Sequence, residues 1–246
     1  MPVKSAIPSF QVKSITEFIK VIEEKCKSEY FLFRGQREDW ELSPKIARII
    51  PKGSKSLLES ESKMLDDFKR TARPFLGTIP KNDWEWLALA QHHGMATRLL
   101  DWTTNPLAAL WFAVEKPATR DFGIVWAFDA PEVDIIMPKH VNENNPFDGP
   151  KTKVFQPEIT TVRIQSQNGW FTVHKYVVSK RRFISFEKNS SYRKYLLKIK
   201  IPSAIFNDLR YQLDRLGINR LSLFPDLEGA ANHAEWINTF LNDEVH

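Results

Sequence analysis

Residues 91–114 read QHHGMATRLLDWTTNPLAALWFAV, and three elements are legible in that one stretch. Gly94 ends a helix that Asn82 caps, with Glu85 at the capping-box position. Residues 97–103 are short, β-branched or apolar and read as extended. Asn105-Pro106 then opens a helix whose Leu107, Leu110, Trp111 and Val114 form a strongly apolar face. A helix apolar on that scale has to be buried, which places it at the centre of an α+β domain.

Working outward, Ser14 and Glu17 form a capping box for a helix over 15–27, with Ile15, Phe18, Ile19 and Ile22 at helical spacing. Residues 30–34 (YFLFR) read as a strand ending at Gly35. Ser43-Pro44 starts a short turn around Ile46 and Ile49, and a long helix runs from about Ser56 to Pro74. Beyond the central helix, FGIVWAFD at 122–129 is a core strand. The proline- and asparagine-rich 130–157 reads as a long loop or flap. Residues 160–174 read as a hairpin or a bulged strand turning at Asn168-Gly169, with strands at 175–186 and 194–201. Helices at 203–216 and about 228–242 close the chain. No repeat or long linker divides it, so one domain over 1–246 is expected, with 1–13 and 243–246 as flexible termini.

The composition is that of a globular protein, 42% hydrophobic and 26% charged, with a formal charge of +5. That balance permits an anionic partner without demanding one. A single cysteine, Cys26, excludes an internal disulfide and a four-cysteine zinc site. The N-terminal MPVKSAIPSFQVKS carries no long apolar run, and no stretch of eighteen apolar residues occurs, so a cytoplasmic protein without membrane attachment is expected. Rossmann, P-loop, α/β-hydrolase and zincin sequences are absent.

The candidate site centres on Arg34. Alternation puts Leu32 and Arg34 on one face of their strand, Phe31 and Phe33 on the other. A desolvated guanidinium needs an anion, either a ligand phosphate or an internal carboxylate such as Asp101. Gly35 beside it lets backbone approach a ligand. In the 97–103 strand Asp101 and Thr103 share a face, and Arg98, Trp102 and Thr104 share the other. The following helix N-terminus attracts anions, although Asn105 also suits a plain N-cap. His92 fits a base or hydrogen-bond donor beside a pocket, or a histidine satisfied at a helix C-terminus; no metal is expected. Arg163, Gln165 and Gln167 alternate with Val162 and Ile164 and would line one strand face, as a ligand wall or as a solvated surface. Asp226 reads as the cap of the last helix.

These residues resemble a known family. FRGQ at 33–36, W-x-L-x-P at 40–44, QHHGMATRLLDWTTNPLAALWFA at 91–113, RIQSQNGWFT at 163–172 and LFPDLEG at 223–229 are similar to the FRG domain, over about residues 15–240. The TRLLDWT block is specific, whereas FRG alone is weak. The family name implies no established activity; its occurrence in bacterial and phage proteins implies a role in phage–host conflict.

A weaker resemblance is to ADP-ribosyltransferases of the arginine–serine–glutamate type, which implies a split antiparallel or mixed sheet flanked by helices. It places Arg34, Gly35 and Gln36 at the NAD phosphates or ribose, Thr103 or Thr104 in support of the nicotinamide pocket, and Gln167 where the family has its catalytic glutamate. Gln167 carries no charge to stabilise an oxocarbenium-like centre, so Asp101 or Glu228 would substitute, or the fold would bind a nucleotide without turnover. In an enzymatic version Trp102 or Phe171 stacks a flat ring, with His92, Arg98 and Arg163 nearby. The implied cofactor is NAD or a related nucleotide, with a protein target conceivable. Two other classes stay open: an interaction module in which Arg34, Arg98 and Asp101 form a structural polar network, and a nuclease, for which no carboxylate cluster is visible.

Overall fold

The computed structural model describes residues 6–53, 56–158 and 162–245. In chain order the main elements are β1 (Ser9–Gln11), α1 (Ile15–Lys25), β2 (Phe31–Gln36), α2 (Leu57–Ala72), α3 (Asp83–His92), β3 (Leu99–Thr103) and α4 (Pro106–Val114). The chain continues through β4 (Phe122–Asp129), β5 (Ile135–Ile136), β6 (Lys153–Phe155), α5 (Val162–Ser166), β7 (Gly169–Val173), β8 (Tyr176–Val177) and β9 (Arg182–Phe183). It ends with β10 (Leu196–Pro202), α6 (Phe206–Arg215), α7 (Arg220–Leu223) and α8 (Leu227–Trp236). The expected mixture of helices around a mixed sheet is present.

Eight strands form one sheet in the order β1-β10-β4-β2-β3-β7-β6-β5. All pairings in it are antiparallel except β1 with β10 and β5 with β6. The middle of this sheet is nearly cut. β2 pairs with β4 from Phe31 to Gln36, but with β3 only at Phe33 opposite Thr103. Beyond that point the two central strands part, leaving a gap between Arg34 and the 99–102 segment.

Helices cover the sheet according to side-chain alternation. Phe33, Val125, Ala127 and Ile199 pack on α4, which is seated between sheet and α6 with five of its residues fully buried. Gly35 is required there: an added Cβ would lie 1.8 Å from the Ala109 carbonyl oxygen. On the other half-sheet Leu99, Phe171 and Val173 pack against α3 and Leu65 of α2. The opposite face buries Leu32, Leu100, Trp102, Trp126 and Phe128 under Leu42, Phe186 and Tyr192.

Helix signals are met closely. Ser14, Ser56, Asn82, Asn105 and Asp226 each cap the helix that follows, and Gly94 and Gly217 adopt positive φ at helix ends. Several expectations are corrected. The stretch before Ser14 contributes β1, which pairs with β10, so residues 9–11 are part of the sheet (residues 1–5 lie outside those described). At the other end Asp243 and Glu244 hold Arg210, so this terminus too is fixed; residue 246 lies outside the described residues.

The 130–157 loop carries β5 and β6, which extend the sheet, and it is pinned by Trp84 Nε1 donating to the Asn144 carbonyl. Strands of two or three residues hold too little pattern to be read. The anticipated long strand at 175–186 is only the two-residue pairing of β8 and β9. The last helix stops at Trp236, short of residue 242. Residues 163–166, expected as strand, lie in helix α5, where the Gln167 N–H donates to the Arg163 carbonyl; Thr160 and Thr161 are outside the described residues. Five residues fit a period of 2 or of 3.6 equally well, and packing of Ile164 under Gly169 chooses the helix.

Candidate functional site

A cavity of about 320 Å³ opens where β2 and β3 part. α3 supplies Gln91 and His92 at its C-terminal end, β3 supplies Asp101 and Thr103, α4 supplies Phe112, and α5 with the start of β7 supplies Arg163, Gln167 and Trp170. Arg34 reaches into the gap from β2. Its Nη1 donates to the Asp101 carbonyl at 2.9 Å and lies 3.6 Å from the Asp101 carboxylate. A side chain thereby supplies the donor that a neighbouring strand would have offered. The Arg34 Nε is buried with no hydrogen-bond partner among the described residues.

Burial pushes the pKa of Arg34 down; Asp101 opposes this and Arg48, a second cation nearby, adds to it. Only about a quarter of the side chain is exposed. A group in that position gains from any anion that enters.

The opposite wall carries a second guanidinium. Arg163 stacks over the Phe224 ring at 4.2 Å, and Arg220 covers the same ring at 4.0 Å. Among the described residues the Arg163 guanidinium makes no hydrogen bond and no ion pair, so its donors are open to the cavity. Its pKa is lowered by burial first and by Arg220 second. His92 is likewise lowered, by burial and then by Arg163 and His93, so its imidazole is neutral near pH 7. Asp101, more than half exposed, receives Gln91 Nε2 at 3.2 Å.

Of the residues singled out in the sequence, Arg34, Gly35, His92, Asp101, Trp102, Thr103, Arg163, Gln167 and Phe171 line this cavity. Their availability differs. The Thr103 hydroxyl donates to the Gln167 carbonyl at 2.6 Å and accepts from the Asn105 N–H, so it splints the start of α4. Gln167 Nε2 donates to the Leu223 carbonyl, tying α5 to α7. Trp102 is buried against Phe128 and Phe186, with Nε1 on Thr172, and Phe171 stacks on Phe155. Their ring faces are taken, and the half-buried rings of the cavity are Phe112 and Trp170.

Five residues are elsewhere, among them Gln165, which is exposed outside the lining, and Glu228, which lies in another cavity. Gln36 is buried on the sheet face opposite α4, where it accepts from Trp126 Nε1 and does not reach the cavity. Thr104 is exposed and does not line the cavity. Arg98 is 2% exposed and paired with Glu61 through Nε at 2.9 Å and Nη2 at 2.6 Å. It also donates to the Pro146 and Phe147 carbonyls and lies between the Phe147 and Phe183 rings. Arg34, Arg98 and Asp101 therefore do not form one network: Arg98 is structural, and its partner is on α2.

Gln91, Phe112 and Trp170 were not foreseen. Gln91 sits in the FRG-like block, but its placement on Asp101 depends on how α3 turns back onto β3 through Gly94. Among the described residues no three His, Cys, Asp or Glu side chains gather as a metal site, and no helix is long and apolar enough to cross a membrane.

Compared with known families, residues 29–121 match the FRG domain. That stretch holds β2, α3, β3 and α4, and so Arg34, His92 and Asp101; α5 and β7 lie beyond it. No curated protein and no solved structure matches the chain.

Proposed function

We propose that the cavity between β2 and β3 recognises a phosphorylated nucleotide, with NAD and its relatives the first candidates. The observation that carries this reading is the pair of guanidiniums on opposite walls, Arg34 with a buried unpartnered Nε and Arg163 with no ion pair among the described residues. Phosphate oxygens would satisfy both, Trp170 offers a ring face, and neutral His92 can donate or accept. A volume of about 320 Å³ is at the small end for a ligand site. It suits one nucleotide half, the remainder lying along the open side.

Turnover of such a ligand, as in transfer or cleavage of ADP-ribose, would draw on Asp101. Gln167 brings no charge and Thr103 is engaged, whereas Asp101 presents a carboxylate at the cavity wall, held by Gln91 and Arg34. A role in phage–host conflict is the setting the FRG resemblance suggests.

Calorimetric titration with NAD, ADP-ribose, ADP and AMP tests the reading, alongside an assay for NAD consumption. Each charge-assisted bond contributes about 1.5–3 kcal/mol, so Arg34→Ala and Arg163→Ala should each weaken binding by about ten- to a hundredfold. Asp101→Asn should abolish any turnover while leaving binding measurable. Absence of binding to all four compounds refutes the proposal.

A further inference from the structure

A second cavity of about 420 Å³ lies between the C-terminal end of α4 and helices α6, α7 and α8. It is separated from the first by Phe224 and the two arginines stacked on it. Its walls carry four carboxylates, Glu115, Asp214, Glu228 and Glu235, against Lys116, Arg210 and Arg220. Arg210 is already neutralised by Asp243 and Glu244. The cavity is left acidic in a chain whose net charge is positive.

Glu115 is the informative group. It terminates α4, where the helix dipole is negative and a carboxylate is the wrong charge. The nearby Val114 carbonyl already draws a cation, Arg210 Nη1, at 3.0 Å. The Glu115 side chain is about one-fifth exposed, and its nearest ion-pair partner, Arg220 Nη1, is 3.6 Å away. Burial pushes its pKa up, with Arg220 and Lys116 only partly offsetting this. Across the cavity Glu235 has no ion pair among the described residues, and the Trp111 and Trp236 rings form apolar walls. Carboxylates with aromatic faces are the surroundings in which organic cations are held. One further group is incomplete: the Arg220 Nε is buried without an acceptor.

We propose that this second cavity binds a basic amino-acid residue, its guanidinium or ammonium between Glu115 and Glu235 against Trp236, and its adjoining amide carbonyl on Arg220 Nε. The natural occupant is a basic side chain of a peptide segment. None of the residues that line it lines the first cavity.

The test is a calorimetric titration of the full chain with a capped Gly-Arg-Gly tripeptide, argininamide and spermidine, with the citrulline tripeptide as neutral control. The arginine tripeptide should bind at least tenfold more tightly than the citrulline one. Glu115→Gln should weaken it by tenfold or more, Glu235→Gln by about threefold, and Arg34→Ala in the first cavity should have no effect. Glu235 is exposed, so its variant reads out the site without endangering the fold. Tripeptide above argininamide above spermidine supports a peptide occupant. Equal citrulline and arginine affinity, tightest binding by spermidine, no binding by any of the cations, or unchanged affinity in either folded glutamine variant overturns the proposal.

Discussion

Replacing Glu61 by Gln isolates the ion pair that anchors α2 to β3. Both partners are almost fully buried, at 2% and 1% exposure, and joined by two short hydrogen bonds. The substitution keeps shape and removes charge, so Arg98 is left as a buried cation held only by the Pro146 and Phe147 carbonyls and two aromatic faces. Removing one member of such a pair costs about 3–5 kcal/mol. With the carbonyls and rings retained, we expect the lower end, about 3 kcal/mol. At about 2–4 °C per kcal/mol for a chain of this size, the melting temperature should fall by about 6–12 °C. Urea unfolding of wild type, Glu61→Gln, Arg98→Met and the double variant completes the cycle. The double variant should recover much of the loss, because neither charge is then stranded. A loss below about 1 kcal/mol in Glu61→Gln, or additive losses in the double variant, would refute the reasoning.

Gly35→Ala should destabilise by about 3 kcal/mol or yield insoluble protein, since its Cβ would lie 1.8 Å from the Ala109 carbonyl oxygen; urea unfolding or soluble yield reads this out. Arg34→Ala, by contrast, should change stability by no more than about 1 kcal/mol, because it loses one hydrogen bond to a carbonyl and leaves Asp101 half-exposed. His174 is buried on Thr172, and burial, with Arg34 and Arg98 contributing, lowers its pKa to about 3. Its folded pKa is below the unfolded value near 6.5, so its share of stability is complete above pH 6.5. That share is lost on acidification at up to about 1.4 kcal/mol per pH unit. His174→Gln should flatten this part of the profile between pH 6 and 4, measured by urea unfolding. Thr103→Val should cost about 1–2 kcal/mol by releasing the Asn105 N–H and the Gln167 carbonyl, detected as a lower melting temperature.

The helices were legible because their signals are local. A cap residue, its partner three positions on, a glycine stop and an apolar stripe all fall within one element, as in Asn82 to Gly94 or Ser56 to Ala72. The core strand 122–129 was legible for the same reason. Short strands such as β5 and β6, and the helix at 162–166, hold too few residues to distinguish a period of 2 from one of 3.6, so tertiary packing settled them.

The arginines divide along the same line. Residue chemistry alone established that Arg34 and Arg98 each need an acceptor, because a guanidinium stays charged wherever it is buried. Which acceptor each receives is a matter of distance in space: Glu61 is 37 residues from Arg98, and Asp101 is 67 from Arg34. Only the fold, by parting β2 from β3 after a single pair and bringing Glu61 of α2 to the residue before β3, sealed one guanidinium in the core and left the other at the edge of a cavity.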